Sequence, residues 1–134
     1  RVGNVNTEAT ATLWHPDGNI ITLGKLGQYW SEALALNDEG QVVGHSEPPV
    51  RNRMINRAYM KLQEWLSNDL RIRMSWETAF FWEKGIMYDL NDLAQTDLLG
   101  VYLSSANDIN NSGEIVGNGY FSGQSMAYIL TPTE

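Results

Sequence analysis

Over most of this chain hydrophobic and polar positions alternate with a period of two, in short runs bounded by turn residues. "ATLWHPDGNIITL" (Ala11 to Leu23) reads as strand, Pro-Asp-Gly turn, strand, and "AFFWEKGIMYDL" (Ala79 to Leu90) as strand, Glu-Lys-Gly turn, strand. Trp14 answers Trp82, and Gly18 answers Gly85. Further along, "SEALALND" (Ser31 to Asp38) and "SSANDINN" (Ser104 to Asn111) each run through an Asn-x-x-Gly turn into a "VVG" or "IVG" strand. Alternation in the first copy sets Leu34, Leu36 and Val42 on one side and Ala35, Gln41 and Val43 on the other. Gly44 and Gly117 fall inside strand patterns, where a missing side chain predicts a bulge or a close backbone approach.

Self-similarity of this kind marks a repeat architecture, and four short strands over about 40 residues match the size of a propeller blade. The expected fold is mainly β, with two four-stranded antiparallel repeat units, propeller-blade-like or packed as sheets, and one inserted amphipathic α-helix. The whole chain, 1–134, reads as a single domain: a first repeat unit over 1–46, a helical insertion over 47–72, and a second unit over 73–134. "AYIL" (Ala127 to Leu130) starts a third unit. The insertion is located by spacing, since Gly44 and Trp82 stand much further apart than Gly3 and Trp14 or Gly117 and Leu130. Within it Ile55, Ala58, Tyr59, Leu62, Trp65 and Leu66 share one side at helical spacing, opposite Arg53, Arg57 and Lys61. After Asn68 the period returns to two, predicting one long strand from Leu70 to Trp82. The chain opens on "RVG", the tail of a unit, which leads to the expectation of a processed or trimmed piece.

The stretches "ATLW", "LGKLG", "SEALALNDEGQVVGHS", "AFFWEKGIMYDLNDL" and "SSANDINNSGEIVGNGYFSGQSMAYILTP" resemble the HAF-type extracellular repeat, named for its His-Ala-Phe strand. The likeness covers nearly all of the chain outside the helical insertion. It implies a β-rich repeat of exported or surface-associated bacterial proteins, hence an extracellular location, and it brings no catalytic residues with it. The chain departs from the pattern at the histidine, where Thr10, Thr78 and Met126 stand. Two units and fragments are too few to close a propeller alone, so two sheets pack face to face or subunits complete each other.

Composition narrows the chemistry. The chain has no cysteine, which removes disulfides, thiolate catalysis and cysteine zinc sites. A net charge of −7 and a pI near 4.7 oppose nonspecific nucleic-acid binding. No apolar run is long enough for a membrane-spanning helix. His15 and His45 align with Glu83 and Asn118, so neither is a repeated ligand, and both are expected at surface or turn positions. "DINNSGE" (Asp108 to Glu114) begins like a calcium loop but has Gly119 where the bidentate carboxylate belongs, and is read as a hairpin turn. No metal or cofactor is therefore expected. Asp38, Glu39, Asp89, Asp92 and Asp108 sit in or beside turns, and no nucleophile elbow, P-loop or dinucleotide fingerprint occurs.

The residues left to carry a function are aromatic and basic. Trp14 and Trp82 hold equivalent strand positions and are expected in the core, with Trp65 facing the core side of the helix and Trp76 on the long strand. Tyr29 and Trp30 lie in loop context and are candidates to stack on a sugar or a partner. Residues 51–73 hold six of the nine basic side chains against two acids. Arg53, Arg57 and Lys61 in this segment are candidates to dock on an acidic surface, above all the turn-rich edge of another subunit. The expected function is a non-catalytic β-repeat binding or assembly module that forms homo-oligomers. The alternatives are an extracellular carbohydrate-binding module and a hydrolase using acids between the units.

Overall fold

The computed structural model describes residues 9–49, 77–96 and 99–133, which are mainly β. The strands are β1 (Ala11–Trp14), β2 (Ile20–Gly24), β3 (Ser31–Leu36), β4 (Val42–Ser46), β5 (Thr78–Glu83), β6 (Ile86–Asp89), β7 (Val101–Ile109), β8 (Ile115–Phe121) and β9 (Gln124–Leu130), with one short helix α1 (Leu90–Ala94) between β6 and β7. They form three antiparallel sheets: β1-β2, then β3-β4-β5-β6, then β7-β8-β9. None of them closes into a barrel.

Turn chemistry sets the pairing. Between β5 and β6 Lys84 and Gly85 both take positive φ, 52° and 88°, and Ser122 and Gly123 do the same between β8 and β9, at 49° and 80°. Two such residues in succession make the primed turn whose twist matches that of paired strands. The β3–β4 and β7–β8 turns are built alike. Asn37 Oδ1 accepts from the backbone N–H of Glu39 and Gln41, and Asn110 Oδ1 accepts from those of Ser112 and Glu114. Gly40 and Gly113 then supply positive φ in the equivalent place.

The sheets are stacked. Ala11 and Leu23 of the two-stranded sheet form one apolar cluster with Val42, Phe80 and Trp82 of the four-stranded sheet. On the opposite face of that middle sheet Val43 and Ala79, with Leu90 of α1, pack on Leu103, Ala106, Ile109, Ile115 and Tyr128 of the three-stranded sheet. Burying a side chain such as Phe80, Val42, Val43 or Leu103 completely contributes about 1.5–3 kcal/mol each. Among the described residues the middle sheet is thus covered on both faces, and the two end sheets on one.

The strand and turn readings hold, but the grouping differs from the sequence units. β1 and β2 pair with each other, while β3 and β4 pair with β5 and β6, so the four-stranded sheet straddles the two units instead of following either. A cyclic pattern of four strands reads the same in any phase, and here the loop from Lys25 to Trp30 carries the chain from one sheet to the next. Val42 and Val43 are both buried because both faces of their sheet are covered, whereas Leu34 and Leu36 are exposed. Leu34 is the extra residue of a bulge between Ala33 and Ala35. Gly44 and Gly117 are places of close approach, as predicted. A Cβ on Gly44 would overlap the Glu32 carbonyl oxygen and lie 2.9 Å from Phe80 Cε1, and one on Gly117 would overlap the Ser105 carbonyl oxygen and lie 2.6 Å from the Tyr128 hydroxyl. The predicted amphipathic helix, the strand residues before Glu77, Trp65 and Trp76 lie outside the described residues.

Candidate functional site

The two repeated turns meet. Asn37 Nδ2 donates to the Asn110 carbonyl at 2.9 Å, Asp38 N–H donates to Asn111 Oδ1 at 2.9 Å, and Asn111 Nδ2 donates to Asp38 Oδ2 at 2.9 Å. One turn type, used twice, becomes a lock between the second and third sheets. This is where "DINNSGE" is used. Its Asn110 oxygen is taken up by the turn's own N–H groups, and among the described residues no group of three or more His, Asp or Glu gathers to hold a metal ion.

The loop that holds Tyr29 and Trp30 is fastened from below. Glu47, buried, accepts from the backbone N–H of Gln28 and Tyr29 at 2.8 and 2.7 Å. Ser46 Oγ accepts from Leu26 N–H and donates to the Trp30 carbonyl. Gly27 fits because its missing Cβ leaves room for the Pro48 and Glu47 carbonyls. The two candidate aromatics part company on this platform. Tyr29 is exposed, while Trp30 is half-buried with its ring edge-to-face on His45, centroids 5.3 Å apart.

His45, expected at the surface or in a turn, is half-buried in strand β4 between two carboxylates. Its Nε2 lies 2.9 Å from Glu32 Oε2, and its Nδ1 lies 3.1 Å from Glu77 Oε2, off the direction of a hydrogen bond. β3 and β5 flank β4, so Glu32 of β3 and Glu77, the residue before β5, bring one carboxylate to each side of the ring. Beside this cluster a groove of about 550 Å³ runs between β1 and β3, lined by Thr12, Trp14, Trp30 and Glu32 among others. Trp14 was expected in the core and is 68% exposed, whereas Trp82 is 6% exposed. The positions are equivalent, but the sheet of Trp82 has a neighbour on that side. The sheet of Trp14 has none among the described residues.

A second cleft, of about 560 Å³, opens between α1, the end of β9 and the middle sheet. Phe81, Leu90, Leu93, Ile115, Leu130 and Pro132 make it apolar, and among the described residues no carboxylate or imidazole lines it. Near it Asn91, the first residue after the Asp89-capped start of α1, is buried and gives both its amide atoms to Leu103 of β7. Tyr102 donates its hydroxyl to the Glu77 carbonyl, and burial, above all other causes, pushes its pKa up to about 12. Tyr128 donates to the Ser105 carbonyl at 2.7 Å, and burial raises it as well.

Of the predicted site residues, Tyr29 and Trp30 share one fastened loop. Arg53, Arg57 and Lys61 lie outside the described residues. Sequence reasoning missed Glu47, Asn91 and the bracketing of His45. Only Asn91 had a local signal, the Asp that precedes it as a helix cap. Comparison of the chain with protein-family models, curated proteins and solved structures gives no match.

Proposed function

We propose that the protein is a non-catalytic β-repeat module that works by stacking sheets, joining further copies of itself or a protein partner. Its sheets are read as propeller-blade-like units, in keeping with the resemblance to the HAF-type extracellular repeat. The observation that carries this reading is that one sheet-to-sheet contact is made twice within the chain, with the same turn on both sides of the lock, while the outer faces of both end sheets keep apolar side chains in solvent. The apolar lining of the cleft beside α1 supports a binding role over a hydrolytic one. Association is tested by light scattering after size exclusion, from low to high micromolar concentration. A mass above that of one chain that rises with concentration supports the module, and a single-chain mass throughout refutes self-association.

A second reading, carbohydrate binding, is favoured by one feature: Trp14 and Trp30 line the same groove with Glu32. Aromatic faces stack on sugar rings and a carboxylate accepts from their hydroxyls. A polysaccharide array with isothermal titration of the hits separates the readings, since Trp14→Ala and Trp30→Ala would abolish sugar binding if this groove is the site.

A further inference from the structure

The stack has a direction. In the middle sheet Val42 pairs with Trp82 and Gly44 with Phe80; in the three-stranded sheet Ile115 pairs with Leu130 and Gly117 with Tyr128. The registers coincide, so Val116 and Ile129 stand where Val43 and Phe81 stand. Val43 is fully buried and Phe81 partly so, both against the three-stranded sheet. Val116 is 40% and Ile129 70% exposed. At the other end the same comparison runs in reverse. Trp14 and Ile20, paired across β1 and β2, stand where Trp82 and Met87 stand, paired across β5 and β6. Trp82 and Met87 pack against the two-stranded sheet, yet Trp14 and Ile20 are 68% and 60% exposed.

Each internal contact therefore joins two different faces: one of the Val43/Phe81 kind and one of the Ile115/Tyr128 or Val42/Trp82 kind. Among the described residues the chain makes this contact twice and leaves one face of each kind without a covering sheet, at opposite ends of the stack. We infer that the outer face of the three-stranded sheet, carrying Val116 and Ile129, seats the outer face of the two-stranded sheet, carrying Trp14 and Ile20, of a second copy of this chain. The inference rests on the self-association proposed above and names its surfaces. A second copy is the occupant because it presents the face that continues the contact already made inside the chain, with its pattern of apolar positions. The two faces differ, so the contact is heterologous: copies add head to tail, into a ring if the rotation closes and a filament if it does not. Burying large apolar side chains on both sides is what holds such an interface, and salt favours it by screening the repulsion between copies that each carry a net charge of −7.

The test uses two single-face variants of the full chain, Trp14→Glu and Ile129→Glu, both at exposed positions, with circular dichroism to show that each keeps the strand content of the parent. Masses are read by light scattering after size exclusion, at moderate salt. The expected result is a concentration-dependent assembly for the parent, a single-chain mass for each variant alone, and a one-to-one dimer when the two are mixed, because each then offers the face the other lacks. If the parent assembles and neither variant weakens it, the named faces are wrong while self-association stands. If both variants are monomeric and their mixture stays monomeric, the contact is not head to tail and the inference falls. A parent that is monomeric throughout removes the inference together with the reading under it. Should either substitution lower the strand signal, Trp14→Ser and Ile129→Thr replace them, with the same mixing experiment deciding.

Discussion

Replacing Asn91 with alanine is expected to be among the most damaging single changes outside the apolar core. Asn91 Oδ1 accepts from Leu103 N–H at 2.7 Å and from the Thr96 hydroxyl at 3.0 Å, and its Nδ2 donates to the Leu103 carbonyl at 2.9 Å and to Asp89 Oδ1 at 3.2 Å. The side-chain amide stands in for a neighbouring strand where β7 passes α1. Alanine leaves Leu103 N–H and C=O without it, at a residue only 1% exposed. An orphaned buried group costs about 1–3 kcal/mol, so two of them cost roughly 2–6 kcal/mol. That is a large share of the roughly 5–15 kcal/mol by which domains are stable. With a urea slope of about 1–3 kcal/mol per molar, the midpoint should fall by about 1 M or more. Urea unfolding followed by tryptophan emission and circular dichroism measures it. Asn91→Asp is the companion variant: it keeps an acceptor for Leu103 N–H but loses the donor and faces Asp89, so it too should be destabilised. A loss below about 1 kcal/mol for Asn91→Ala, with unchanged slope, would refute the reasoning.

Two further outcomes follow from the packing. Gly44→Ala and Gly117→Ala should each destabilise by at least the roughly 1–3 kcal/mol of an overpacked core, because the new methyl meets a backbone carbonyl that cannot rotate away; urea midpoints equal to the parent's would exclude the close approach. Tyr102 and Tyr128 should ionise late in an alkaline absorbance titration. Their folded pKa values lie above the unfolded value of about 10, so the stability they confer is complete below that pH and is lost as pH rises above it, through about 12 for Tyr102 and higher for Tyr128. Unfolding should therefore coincide with the late absorbance step, and Tyr102→Phe should shrink that step; ionisation of all tyrosines near pH 10 with the fold intact would contradict it.

What the sequence determined by itself was local. A period of two, with Gly, Asn and Asp at the reversals, is enough to place β1, β2, β5 and β6 and the Asn37 and Asn110 turns, because strand and turn depend on the few residues that form them. Gly44 and Gly117 were legible for the same reason: a glycine inside a β pattern marks a place where a Cβ has no room. Tertiary structure decided which strands share a sheet, since four strands in cyclic order carry no mark of phase, and the loop fastened by Glu47 and Ser46 sets the break. It also decided that Trp14 is exposed while Trp82 is buried. The two residues are equivalent along the chain, and burial belongs to the neighbouring sheet, which one of them has among the described residues and the other lacks.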